Sequence, residues 1–380
     1  MSKVTRVPIN PVILEWALRD LNLSIEEFAQ KVKVKPGRVR QWISGDAEPT
    51  YKQLENIAYK VLKLPLASFF LAEPPENLTI KRKFRSLPEY LLDLTSYKTR
   101  IAIKKADFYK SAFYELFGTN PAREPIYKRL NITPAQDPTE AARIIRREFG
   151  ISIELQKKFS NGYEAFNFYR DTLEQKGIYL FQLQLSGDRG FCLLDKEFPL
   201  IVVNSSDSIN SKIFTLFHEL IHILTESDDI YKEIELSPYS ESRNEIFCNR
   251  TASEILVPIS ELAERYSGLL RYWDEELIYK IAREYSVSKE VILLKIVSMG
   301  IVRESEYKRL KEKWDKEFQD GRKERKGGSY YVNKISALGK SFINEVIDSY
   351  KSGRINEIQV SDYLDMKFSN ISKIETGIYI

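Results

Sequence analysis

The chain has 380 residues, 43% hydrophobic and 29% charged, a balance that suits two or three globular domains and excludes a wholly disordered, collagen-like or fibrous protein. Gly 16 and Pro 15 leave no room for a long low-complexity linker. A net charge of +4 means that any nucleic-acid contact comes from a local basic patch, and two cysteines, Cys192 and Cys248, are too few for a disulfide framework and suit a reducing compartment.

Residues 1–64 read as a tight helical unit. Asn10-Pro11 is a cap followed by proline at the first helical position. Ser24-x-x-Glu27 and Thr50-x-x-Gln53 are capping boxes, so helices are predicted to start near Pro11, Ile25 and Tyr51. A further short helix from Pro36 to Gly45 places Val39, Trp42 and Ile43 on one apolar face and Arg38, Arg40 and Gln41 on the other. Short helices, short turns and a basic outward face suit a helix-turn-helix module. This stretch holds eleven basic and seven acidic side chains, about the whole chain's excess. Lys31, Lys33, Lys35, Arg38 and Arg40 form the cluster that phosphate contact needs. Lys35, Arg38, Arg40 and Gln41 are the expected DNA contacts, Gln41 on an adenine edge and the arginines on guanine or phosphate. A solvated basic face on a small bundle is the competing reading.

Downstream, the apolar run LPLASFFL leads to the boundary AEPPEN and the basic segment IKRKFRS, then to helix as far as about Gly118. Asp137-Pro138-Thr139-Glu140 starts a helix that ends near Phe149. Helix EAFNFYRDTLEQKG then gives way to three short strands, IYLFQLQL, GFCLLD and FPLIVVN, expected to form a small, mostly antiparallel sheet. Helix SKIFTLFHELIHILTE follows directly, with more helices near 243–257, 274–285, 288–299 and 304–325. KERKGGS is the expected flexible junction to a helical unit over 330–380. The N-terminal MSKVTRVPINPVILEW has no apolar core of signal-peptide type, and IFTLFHELIHIL and VILLKIVSMGIV are too short or carry charge. A cytoplasmic protein without membrane contact is the expectation.

His218 and His222 are the only two histidines in the chain. That excludes a serine–histidine–aspartate triad elsewhere and any three-histidine metal site. They frame an H-E-x-x-H on a predicted helix, where residues at i and i+4 point the same way and can share one zinc ion. Glu219 lies beside them and can take a proton from water activated by that ion. Phe214, Phe217, Leu220, Ile221 and Leu224 can hold the helix in a core. Two histidines under-coordinate zinc, so the third ligand is an Asp, Glu or Cys. Glu245 is the leading candidate, with Asn249 one turn on to hold a ligand histidine from behind. Glu241 and Cys248 are alternatives, although Cys248 also reads as a small buried residue. Glu254 reads as an exposed helix residue. Tyr239 and Arg243 lie near the site in sequence, without an assigned role.

FTLFHELIHIL followed by EIFCNRTASEILVP resembles the ImmA/IrrE family of zinc metallopeptidases. The stretch from SIEEFAQKV to LPLASFFLAEPPE resembles the XRE-type helix-turn-helix that precedes this peptidase in a bacterial and phage subgroup. The resemblance covers most of the chain, including VSKEVILLKIVSMGIV. It departs at Ile221, where the family usually has Gly, and at Cys248, where it often has Ala. The resemblance implies a mainly α chain with a small α+β metallopeptidase core and an N-terminal all-α helix-turn-helix domain. The expected divisions are 1–72 for the helix-turn-helix, 73–135 for a helical linker region, 136–302 for the peptidase and 303–380 for a helical C-terminal region. It also implies one Zn2+ per chain on His218, His222 and Glu245, with Glu219 as catalytic acid and base. The implied partners are DNA and a protein substrate of repressor type, cleaved to control gene expression, and a homodimer is a candidate assembly. The competing functional reading is a DNA-binding regulator or antitoxin-like protein whose zinc domain senses a partner without cleaving it. Retention of Glu219, which a scaffold would not need, favours chemistry.

Overall fold

The computed structural model describes residues 5–75, 96–119, 126–225, 243–321 and 329–378. The basic segment 80–86, Tyr239, Glu241 and most of the expected junction at 323–329 lie outside these residues. The chain divides into two compact units, one mainly Met1–Lys105, the other mainly Ala106–Leu183, Asp188–Asp228 and Leu236–Ile380.

In the first unit, α1 (Pro11–Asp20), α2 (Ile25–Val32) and α4 (Tyr51–Glu55) start at the caps that the sequence announces, and α3 (Pro36–Ser44) starts at its proline without a side-chain cap. Asn10 accepts from the Val12 amide. Both capping boxes close, Ser24 with Glu27 and Thr50 with Gln53, satisfying amides that the first helical turn leaves without partners. Lys33 turns left-handed at φ 59 to end α2, and three residues later Pro36 opens α3. That short turn is what sets the second helix of a helix-turn-helix across the first. Ile13, Leu14, Ala17, Phe28, Val39, Trp42, Leu54 and Ile57 fill the core, whereas Ile43 is only half-buried. α4 continues as a wider π-helical stretch, Asn56–Leu62, and then a 3-10 turn, Leu66–Phe70, neither of which a 3.6-residue period predicts. At the start of helix Tyr97–Phe117, Lys104 pairs with the buried Asp20 carboxylate at 2.6 Å, and Arg100 donates to the Asp20 carbonyl at 2.8 Å.

The second unit is built on three strands, β1 (Tyr179–Leu183), β2 (Gly190–Leu193) and β3 (Leu200–Asn204). They occupy the three predicted segments, but their order is β1-β3-β2. β3 lies between the others, parallel to β1 and antiparallel to β2, so the sheet is mixed and not mostly antiparallel. The expectation assumed that successive strands pair as hairpins. The Gln184–Arg189 link is too long for a two-residue hairpin, and β3 takes the central place.

All residues of β1 and β3 are buried, as strands covered on both faces must be. Leu180, Ile201 and Val203 join Tyr169, Leu173, Leu216, Phe217 and Leu220 in one core. On β1, Tyr179 and Phe181 point the other way and meet Tyr109, Phe113 and Phe342, with Tyr109 stacked on Phe181 at 4.4 Å between centroids. Phe342 belongs to the C-terminal helices that begin at Tyr330, so this segment builds the second cover of the sheet. Arg170 and Gln182 both donate to the Ser336 carbonyl, each at 2.7 Å.

Candidate metal centre

Helix Ile209–Leu224 carries the H-E-x-x-H. Ser208 caps it, accepting from the Ser211 amide. Ile213, Leu216, Phe217, Leu220, Ile221 and Leu224 are buried, so the helix is anchored on most of its circumference. Its inner face lies very close to β2. A Cβ on Gly190 would come within 2.4 Å of Thr215 Cγ2 and 2.7 Å of the Val202 carbonyl oxygen. Only glycine allows this approach, which brings Glu219 Cγ to 3.5 Å of the same point.

The second element is helix Arg243–Leu256, which packs on the first and carries Glu245 in its opening turn. His218 Nε2 lies 3.2 Å from Glu245 Oε2, His222 Nε2 lies 2.9 Å from Glu245 Oε1, and the two Nε2 atoms are 3.1 Å apart. A tetrahedral ion with donors at about 2.0–2.1 Å separates neighbouring donors by about 3.3 Å. Two imidazole nitrogens and a carboxylate in a near-closed triangle of these edges fit such an ion and leave a position free for substrate or water. Glu245 is 3% exposed, and a carboxylate is not buried there without positive partners. Burial alone would raise its pKa, but hydrogen bonds from both histidines and their charge outweigh it and hold the carboxyl down to about 2. Burial likewise opposes charge on His222, yet the sulfur and carboxylates around it carry its pKa well above the ordinary imidazole value.

Glu219 is buried beside this triangle on the same helix. Burial raises its carboxyl above the usual carboxylate range, with the Glu245 charge adding to it, while the two histidines and a hydrogen bond from the Cys192 thiol pull the other way. A carboxyl of raised pKa is one that can take up a proton near neutral pH.

Asn249 is half-buried, and the hydrogen bonds of the two imidazoles among the described residues do not include it. The group behind His222 is Cys248, whose Sγ lies 3.7 Å from Nδ1. Positions i+3 and i+4 from Glu245 both lie near its face of the helix, and it is the former, Cys248, that meets His222. Cys248 therefore sits on the far side of His222 from Glu245. Arg243 is exposed. Glu254, expected at the surface, is buried, paired with the buried Lys295, and accepts the Ile259 amide at 3.1 Å to cap the next helix. Its place near the end of a helix packed on both sides overrides its polarity. Gly190 and Cys192, which touch Glu219 from β2, carried no local signal beyond their place in a short strand.

In α3, Arg38 and Gln41 are neighbours, Nη1 donating to Oε1 at 3.0 Å, and Gln41 is exposed. Lys35 stands exposed at the head of the helix. Arg40 is exposed too, but turns back to Glu26 of α2 at 2.6 Å, away from the Arg38–Gln41 pair.

Comparison with known families gives two matches. Residues 173–297 match the peptidase family model described as IrrE N-terminal-like domain, a span that contains all three strands and both site helices. Residues 14–66 match the model described as Helix-turn-helix. No curated protein and no solved structure matches the chain.

Proposed function

We propose that the chain is a zinc-dependent endopeptidase joined to a DNA-binding helix-turn-helix, and that it cleaves a transcriptional repressor or related protein partner to control gene expression. In this reading the DNA-binding part is 1–72 and the peptidase 136–302, with 73–135 and 303–380 as helical regions beside them. The observation that carries the reading is the convergence of His218, His222 and Glu245 with buried Glu219 beside them. Among the described residues no helix is long and apolar enough to cross a membrane, and two thiols without a framework favour the cytoplasm.

His218, His222 and Glu245 would hold one zinc ion per chain. When bound, zinc supplies the Lewis acidity that polarises a scissile carbonyl and makes water a nucleophile at neutral pH. Glu219 does not hold the ion. Its carboxylate accepts the proton of the attacking water and returns it to the leaving amine. Ile213, Phe217 and Leu220 keep the helix rigid, so the carboxylate and imidazoles keep their spacing through the reaction. Lys35, Arg38 and Gln41 contact DNA from α3. Arg40 joins them by exchanging Glu26 for a phosphate, a small loss because exposed ion pairs contribute about 0–1 kcal/mol.

The test is elemental analysis combined with incubation against the protein encoded by the neighbouring gene. About one zinc per chain and a metal-dependent cut are expected, both absent from the His218→Ala/His222→Ala variant. Stoichiometric zinc in that double variant would show that the site lies elsewhere.

A further inference from the structure

The two imidazoles differ in what stands behind them. Both turn Nε2 toward Glu245. His222 meets the Cys248 sulfur with its Nδ1, whereas the buried Nδ1 of His218 has no hydrogen-bond partner among the described residues. A neutral imidazole that binds a metal through Nε2 keeps its proton on Nδ1, and that N–H normally donates to a carboxylate, carbonyl or water, which fixes both tautomer and ring angle. Cys248 is 1% exposed and three residues beyond Glu245 on the same helix. One helix therefore presents both the carboxylate that faces Nε2 and the sulfur that faces Nδ1 of a single ring.

We propose that Cys248 is a positioning residue of the metal centre: its Sγ accepts the Nδ1–H of His222 and locks the ring with Nε2 facing the ion. This rests on the zinc reading of His218, His222 and Glu245. Sulfur is a weak acceptor, so its support is smaller than a carboxylate's, but it is the contact His222 has. The asymmetry gives the inference its content. Among the described residues His222 is held from behind and His218 is not, so removing the sulfur acts on one ring alone. A merely space-filling cysteine would act on neither.

The experiment uses the full chain loaded with zinc, as wild type, Cys248→Ala and Cys248→Val. The valine variant leaves no cavity, being about one methyl larger than cysteine, and removes the acceptor, so it carries the comparison if the alanine variant is poorly folded. Zinc affinity is read by competition with a chromophoric chelator. The imidazoles are read by long-range proton–nitrogen NMR, which two histidines keep unambiguous. In wild type both rings bind through Nε2, and the Nδ1 proton of His222 exchanges slowly. In the variants the zinc dissociation constant rises about tenfold, at the low end of what outer partners of metal ligands contribute. The His222 proton exchanges faster, while the His218 signals stay. Unchanged affinity and exchange in both variants overturn the proposal and leave the zinc site standing, as does a wild-type His222 bound through Nδ1. A wild-type chain that takes up no zinc overturns the site reading and this proposal together.

Discussion

At the scale of residues, four side chains and one absent one carry the proposed chemistry. Glu219→Gln keeps the size of the side chain and removes its basicity. The variant is expected to keep its zinc, because Glu219 is not a ligand, and to lose peptide cleavage by orders of magnitude. Zinc loss in this variant would instead mark Glu219 as part of the metal-holding set. Metal uptake is also tied to pH. The metal-free pKa of His222 stands above its ordinary value, so that ring adds stability below pH 6.5 that is lost as pH rises through the folded pKa. Zinc needs the neutral ring and must expel that proton. Affinity should therefore climb as pH rises above 6.5, with proton release visible as a buffer-dependent heat in calorimetry. A pH-independent affinity would remove His222 from the ligand set. The absent side chain is that of Gly190. In Gly190→Ala the new methyl meets Thr215 and a backbone carbonyl of β3, and overpacking of this kind costs about 1–3 kcal/mol. Urea unfolding measures it, and an unchanged midpoint would mean that the helix and strand are not held as closely as described. His218, Glu219 and His222 were legible because helical spacing alone gathers them. Gly190 was not, since its need for a bare Cα arises from a helix that begins nineteen residues later in the chain, beyond another strand.

At the scale of elements, caps carried most of the legible information. Asn10, Ser24, Thr50 and Asp137 each accept an amide in the first turn of their helix, and such bonds depend on three or four residues of sequence. The mixed sheet was not legible, because the order β1-β3-β2 is decided by what covers each face and not by any one strand. The same holds for Glu254. Its helix end lies inside the packed unit, and Lys295 comes from a helix some forty residues away. This pair gives a prediction for the element it joins. Lys295→Met leaves the buried carboxylate without its countercharge, which costs about 3–5 kcal/mol, seen as an earlier unfolding transition. A shift below about 1 kcal/mol would mean that water or another cation replaces the lysine.

At the scale of the whole molecule, the chain joins a helix-turn-helix to an IrrE-like peptidase-family domain, and the account couples their functions. DNA binding should weaken steeply with salt and fall in the Arg38→Ala/Gln41→Ala variant. It should be indifferent to Glu219→Gln, because that residue belongs to the other unit. Footprinting that finds equal protection with and without Arg38 and Gln41 would assign α3 a different surface to touch. The measurement that bears most directly on the central claim is a map of protein N-termini in cells expressing wild type or Glu219→Gln. The account predicts new N-termini within a DNA-binding repressor in wild-type cells alone, together with release of the genes it controls. Identical N-termini in the two strains, with the genes regulated alike, would contradict it.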